Sequence, residues 1–127
     1  MGGRQVLTRA RGSVTVEFFL VIPMLVVVLV AGLQVVSLAR ARIELIGAAR
    51  DGARVAATNP DPAKAVEAVL AALPSSIRDR ARVSVTRPSV AGQRARVVVV
   101  VRHAIGPPFP ANVGVDITAT ASMLVER

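Results

Sequence analysis

The sequence predicts an α+β protein in which a long N-terminal transmembrane helix continues into a small head, made of one further helix and a three-stranded antiparallel sheet. Three observations predict it: a 22-residue apolar run over residues 18–39, no helix breaker between that run and Asn59-Pro60, and alternating or wholly apolar stretches from residue 82 onward. With 127 residues, the chain has room for one small domain beside the long helix.

The apolar run is long enough to cross a membrane. Its polar side chains are Gln34 and Ser37, and as a helix it spans roughly 33 Å, against a hydrocarbon core of about 30 Å. Its fifteen Phe, Leu, Ile and Val residues favour insertion by about 5–9 kcal/mol in sum. A carboxylate at the centre of a spanning helix costs roughly 2.5–3.5 kcal/mol, and Glu17 lies at the edge, where the cost is smaller. The run is therefore predicted to insert.

Beyond the run, the helix is predicted to continue to about residue 57. Small residues recur there at i+4 spacing in two adjacent rows, while Arg42, Arg50 and Arg54 fall on another face. A face of small residues lets a second element approach the helix backbone closely. The residues predicted to provide this close packing are Ala48, Ala49, Gly52, Ala53 and Ala56.

The last seventy residues predict a head with one helix and three strands. Asp61 can cap the helix, Pro62 can begin it and Pro74 ends it, with Val66, Val69, Leu70 and Leu73 at helical spacing. The strands are predicted over residues 82–87, 94–103 and 116–125, and the five valines of residues 97–101 place the second strand at the centre. Residues 104–115, with three prolines, are predicted to form a loop. So small a head is expected to need the C-terminal half of the long helix as part of its core.

The segment in front of the apolar run resembles a type IV prepilin leader, which is short, basic and cut after glycine. Here Gly12 precedes Ser13, and Glu17 is then the fifth residue of the mature chain. The resemblance implies cleavage between Gly12 and Ser13 by prepilin peptidase, pairing of Glu17 with a neighbouring subunit's new α-ammonium group, and a helix kink at Pro23. The alternative for Glu17 is a carboxylate that rests among lipid headgroups.

A second motif, Ala48-Ala49-Arg50-Asp51-Gly52-Ala53-Arg54, follows at the expected spacing, and the two together resemble the N-terminal signature of TadE-like proteins. These are minor pilins or pseudopilins of the tight-adherence (Flp) pilus machinery, whose major pilins carry Glu-Tyr where this chain has Glu17-Phe18. The resemblance covers residues 12 to 57. It implies partners of three kinds, namely membrane lipid, prepilin peptidase, and other pilin subunits and assembly proteins.

The same resemblance implies a domain order and a location. Residues 1–12 would be the leader, 13–39 the transmembrane helix, 40–58 its extracytoplasmic continuation, and 59–127 a small, pilin-like α+β head. The chain would cross the cytoplasmic membrane once, with its N-terminus in the cytoplasm. Counting arginines does not decide this orientation, because Arg40, Arg42, Arg50 and Arg54 follow the apolar run closely.

The residue types needed for catalysis are not brought together by the sequence, so the chain is not predicted to be an enzyme and no cofactor or metal is predicted. There is no cysteine, and His103 is the single histidine, most simply a strand-end residue. The carboxylates form no paired pattern, Ser75 and Ser76 have no base near them in sequence, and the glycines are isolated.

Two other functions remain open at the level of sequence. One is a competence-type pseudopilin whose head holds DNA, which requires Arg82, Arg87, Arg94, Arg96 and Arg102 to cluster on one face of the sheet. The scatter of the arginines along the chain and the lack of Tyr and Trp argue against nucleic acid as a partner. The other is a soluble protein released by signal peptidase after Ala39, beginning at Arg40.

Overall fold

The computed structural model describes the backbone of residues 9–107 and 113–126, and the side chains of residues 14–107 and 113–126. Most of the predicted leader, residues 1–8, lies outside this part of the chain. The chain divides into two compact units, residues 1–35 and 36–127, which are described separately. The predicted domain boundaries at residues 12, 39 and 58 stay predictions.

Helix α1 (Arg9–Thr58) is continuous and contains Pro23. It begins several residues before the predicted start near residue 14. Its C-terminal end lies where the sequence placed it, because Pro60 disfavours helical geometry in the residue before it. The long apolar N-terminal helix of the prediction is confirmed.

Helix α2 (Pro62–Ala72) begins as predicted. The Asp61 carboxylate accepts a hydrogen bond of 2.9 Å from the Ala63 amide, and Pro62 occupies the first turn, where its missing N–H costs nothing. Pro74 follows the end of the helix and precedes a single helical turn, α3 (Ser75–Arg78), which the sequence analysis did not predict.

The sheet is an antiparallel meander in the order β1-β2-β3, with β1 (Ala81–Thr86), β2 (Arg94–Ala104) and β3 (Gly114–Leu124). Val99 of β2 lies between Val83 and Ala119, which fixes the register of both pairs. The prediction of an α+β fold with β2 at the centre is confirmed, and each strand begins or ends one or two residues from its predicted bound. Residues 108–112 of the predicted proline-rich loop lie outside the described residues.

One face of the sheet is buried and the other is open to solvent. Val97, Val99 and Val101 are buried on the inner face, whereas Val98 and Val100 on the outer face are half-buried. Val83, Val85 and Ala121 also pack against the inner cluster. Met123 pairs with the buried Ala95 on the inner face, yet it is 40% exposed because it lies near the free end of edge strand β3.

The core joins the inner face of the sheet, helix α2 and the C-terminal part of α1 into one cluster. Leu45 of α1, Val69 of α2 and Val97 of β2 are among its fully buried members. This confirms that the head builds its core on α1. The alternation of β2 and the i+4 spacing along α1 provide the two apolar surfaces that meet there.

The head also satisfies the carbonyl groups at the end of α1, which have no partner within the helix. The Arg87 Nε donates a hydrogen bond of 2.7 Å to the Ala56 carbonyl, and the Glu126 amide donates one of 3.1 Å to the Ala57 carbonyl. Arg87, directly after β1, and Glu126, two residues after β3, therefore bind the last turn of α1.

Candidate assembly surface of helix α1

The first part of α1 presents large apolar side chains on all sides. Over residues 14–36, here called the exposed apolar segment, every large apolar side chain except Val30 is exposed, with exposed fractions from 43% at Ile22 to 74% at Phe19. Its most apolar window has a mean hydropathy of 2.8, and none of that window is buried by the rest of the protein. A helix this long and apolar fits a single-pass membrane protein. Apolar surface of this extent needs lipid or other apolar helices to cover it.

Glu17 is the one acidic residue within the exposed apolar segment. Its side chain is exposed, and in the described part of the chain the carboxylate has neither a hydrogen bond nor an ion pair. A carboxylate that enters lipid without a partner loses its hydration. A partner for Glu17 in that setting must therefore come from outside the described residues.

The remaining residues predicted for the N-terminal region also lie in α1. Gly12 and Ser13 have helical backbone in its first turns. Pro23 is a ring without an N–H inside the helix, so the carbonyl of Phe19 lacks its usual donor from four residues on. Cleavage at Gly12-Ser13 and a kink at Pro23 stay predictions.

The five small residues predicted for close packing all lie in the buried part of α1, where they face the head of the same chain. Ala48, Ala49, Ala53 and Ala56 belong to the core cluster, and Gly52 is buried beside them. A Cβ atom at position 52 would collide with the Val69 Cγ2 of α2 and would lie 3.4 Å from the Val97 Cγ1 of β2. Glycine at 52 thus sets how closely α2 and β2 approach α1.

Two contributors to this packing escaped the sequence prediction. Leu45 has no exposed surface and lies three and four residues before Ala48 and Ala49. That spacing puts Leu45 on the same helix face as the small residues, so the sequence pattern could have identified it as a core residue. The hydrogen bond from Arg87 to Ala56 joins residues 31 apart in sequence. No local pattern could have indicated that bond.

Two of the residues considered for chemistry, Ser76 and His103, line one pocket of about 240 Å³, and no hydrogen bond joins their side chains among the described residues. His103 is half-buried near the end of β2, and Ser75 and Ser76 begin α3. Among the described residues, no three histidine, cysteine or acidic side chains are close enough to hold a metal ion.

The arginines required by the DNA-holding alternative are largely brought together. Arg82, Arg94, Arg96 and Arg102 occupy exposed positions of the outer sheet face, whereas Arg87 turns back to the end of α1. The alternation of β2 places Arg94, Arg96 and Arg102 on one face, and the pairing of β1 with β2 adds Arg82 to it.

No curated protein and no solved structure matches the chain. The family model described as TadE-like protein matches residues 12–54, which contain the whole exposed apolar segment, with Glu17, and the Ala-Arg-Asp-Gly motif up to Arg54. This family is associated with the tight-adherence pilus. The match covers about a third of the chain, and residues 12–54 are therefore similar to the TadE-like family that the two motifs indicated.

Proposed function

We propose that the protein is a minor pilin or pseudopilin that prepilin peptidase cuts between Gly12 and Ser13, and that takes part in assembling a tight-adherence pilus or a related secretion apparatus. Before assembly it crosses the cytoplasmic membrane once, with the leader inside and the head outside. The observation that carries the proposal is the unpaired carboxylate of Glu17 within an exposed apolar segment, in the part of the chain that is TadE-like.

The proposed mechanism is non-covalent. Apolar side chains of neighbouring helices pack against one another and exclude lipid, and dispersion contacts along the exposed apolar segment hold the subunits together. Cleavage creates an α-ammonium group at Ser13, four residues before Glu17. When the ammonium group of one subunit meets the carboxylate of the next, the pair offsets the desolvation of both charges. That pairing works at one axial offset, so it sets the register between subunits.

The small-residue face of α1 has a different role in this proposal. It packs against α2 and β2 of its own chain, so it holds the head on the helix and is not available to a second subunit. The contacts between subunits then fall on the exposed apolar segment.

Sequencing the amino terminus of the protein purified from its native host tests the processing step. A mature chain that begins at Ser13 supports the proposal. A chain that begins at Arg40 would instead identify a protein secreted after cleavage at Ala39, and one that begins at Met1 or Gly2 would identify an uncut membrane anchor.

The role of Glu17 is tested by Glu17→Val. We expect membrane insertion to be retained, because an apolar residue replaces an acid, while the yield of assembled subunits falls by at least about tenfold, because the buried ammonium group loses its partner. Assembly is measured by cross-linking in cells and by recovery of sheared filaments. Glu67→Val, at an exposed residue of α2 paired with Lys64, is the matched control and should assemble normally. Normal assembly of Glu17→Val would refute the register role.

A further inference from the structure

The outer face of the sheet carries a row of arginines that neither the core nor the proposed subunit contacts use. We name as the arginine stripe Arg82 of β1 and Arg94, Arg96 and Arg102 of β2, all exposed. From Arg94 to Arg102 the stripe extends about 27 Å along β2. The one acidic side chain on this face is Asp116, the pairing partner of Arg102 on β3.

The guanidinium groups of the stripe are unengaged within the described residues, where they donate no hydrogen bond and form no ion pair. Other arginines of the head are used internally: Arg78, Arg80 and Arg87 each donate to a backbone carbonyl at 2.7–3.0 Å. The head therefore has two groups of arginines. One group stabilises the fold through hydrogen bonds, and the arginine stripe faces solvent without a partner among the described residues.

Hydroxyl groups border the stripe on both neighbouring strands. Ser84 and Thr120 flank Val98, while Thr86 and Ser122 flank Arg96.

The stem of Arg102 lies over Gly114, where an added Cβ would lie 3.0 Å from the Arg102 Nε, so the glycine leaves room for that side chain on the face. A shallow depression of about 700 Å³, lined by Arg80, Arg82, Arg102 and Asp116 among others, lies at this end of the stripe. Hydroxyl and guanidinium donors are the groups that contact phosphate oxygens in nucleic-acid complexes.

We propose that the arginine stripe binds the phosphate backbone of duplex DNA without reading its sequence. The four arginines form two pairs on two adjacent strands, Arg94 with Arg96 and Arg82 with Arg102, about 20 Å apart along β2. Two charged points along one direction suit a linear polyanion better than a flat membrane surface. Duplex DNA carries one charge per about 1.7 Å, or about 16 along the stripe, and releases counterions for each phosphate neutralised. Contacts to phosphate oxygens position a protein on the duplex but carry no sequence information, which is why binding is independent of sequence.

This inference adds a partner to the head and does not depend on cleavage at Gly12 or on the pairing of Glu17. The sequence argument against nucleic acid rested partly on the scatter of the arginines, whereas the alternation of β2 and the pairing of β1 place four of them on one face. The lack of Tyr and Trp still holds.

The test uses the full chain in neutral detergent micelles and a fluorescent DNA duplex of about 30 base pairs. With four phosphates neutralised, we expect a slope of about −3.6 in a plot of log K against log salt concentration, or about 150-fold weaker binding at 200 mM than at 50 mM salt. The Arg94→Ser/Arg96→Ser double variant should bring the slope to about −1.8. The Arg82→Ser/Arg102→Ser variant should do the same, which covers the case in which one pair of substitutions harms the fold.

The matched control is Arg50→Ser/Arg54→Ser, which removes two exposed arginines from α1 and keeps the stripe intact. We expect its salt slope to equal that of the unmodified chain. Equal losses in the control and the stripe variants would show attraction to net charge alone and would overturn the proposal. So would undetectable binding to the duplex, or stripe-dependent binding to an acidic polysaccharide or to anionic lipid vesicles that the duplex does not displace.

Discussion

The two parts of helix α1 differ in a way that inverts the usual relation between hydrophobicity and burial. In the exposed apolar segment, large side chains such as Phe19 and Leu33 are 70% exposed or more. Over residues 41–57, by contrast, the buried positions are held mainly by alanine and glycine, and Leu45 is the largest of them. The more hydrophobic part of the helix is therefore the less buried part.

The difference shows where each part finds its packing partner. The small residues of the second part are buried because α2 and β2 of the same chain approach them closely. The large residues of the first part find no such element in the described residues, so their partner is lipid before assembly and, in the proposed function, other helices after it. One helix thus serves both as a membrane anchor and as a core element of the head.

The largest expected effect comes from making the exposed apolar segment unable to enter a membrane. In Val26→Arg/Leu29→Arg, two arginines near the middle of the run cost roughly 5–7 kcal/mol, which cancels most of the estimated insertion energy of about 5–9 kcal/mol. We expect the variant to be recovered mainly in the alkaline extract of membranes, whereas the unmodified chain stays in the pellet.

The control for this experiment places one arginine at Ile43, which is exposed and lies beyond the apolar run. Ile43→Arg should stay in the membrane pellet. If the double variant also stayed there in full, the exposed apolar segment would not be the anchor.

A smaller loss is expected from Leu45→Ala in the second part of the helix. Leu45 has no exposed surface, so its truncation leaves a cavity between α1 and the sheet and should lower the free energy of unfolding of the head by about 2–5 kcal/mol. Ile43→Ala, two residues away on the exposed side, should change it by less than about 0.5 kcal/mol. Denaturant unfolding in detergent measures both, and equal effects would contradict the burial of Leu45.

How much the sequence could predict depended on how far apart the interacting residues lie. The cap of α2 follows from Asp61-Pro62, and the alternation of β2 follows from its valines, because both signals are local. Helix α3 was missed, since four residues after Pro74 are too few to display a helical period. The strand ends differ from the predicted ends by one or two residues, because the pairing of a strand stops where its partner strand stops.

For the candidate site, the sequence identified surfaces but not what covers them. The i+4 recurrence of alanine and glycine marked a face for close approach, yet nothing near Gly52 in sequence indicated Val69, seventeen residues on, as the side chain that fills the space. The arginine stripe was named only as a requirement of one alternative, because its assembly depends on the register of β1 on β2. A partner for Glu17 lies outside the described residues, so neither pattern nor fold identifies it.

The smallest expected effect comes from replacing the two glycines of the second part of α1 with alanine. The change in the free energy of unfolding should have opposite signs at Gly47 and Gly52. Alanine favours a helix interior over glycine by about 0.8–1 kcal/mol. At Gly47, which is exposed and has no atom within 4 Å of an added Cβ, Gly47→Ala should raise the free energy of unfolding by about that amount. At Gly52 the same methyl group meets the stiff, β-branched Val69 of α2, and overpacking of this kind costs about 1–3 kcal/mol, so Gly52→Ala should lower the free energy of unfolding despite the better helix propensity.

The double variant Gly52→Ala/Val69→Ala removes the colliding branch and tests the cause: it should show a favourable coupling relative to the two single variants. Stabilisation by Gly52→Ala alone would mean that α2 does not pack against this face of α1.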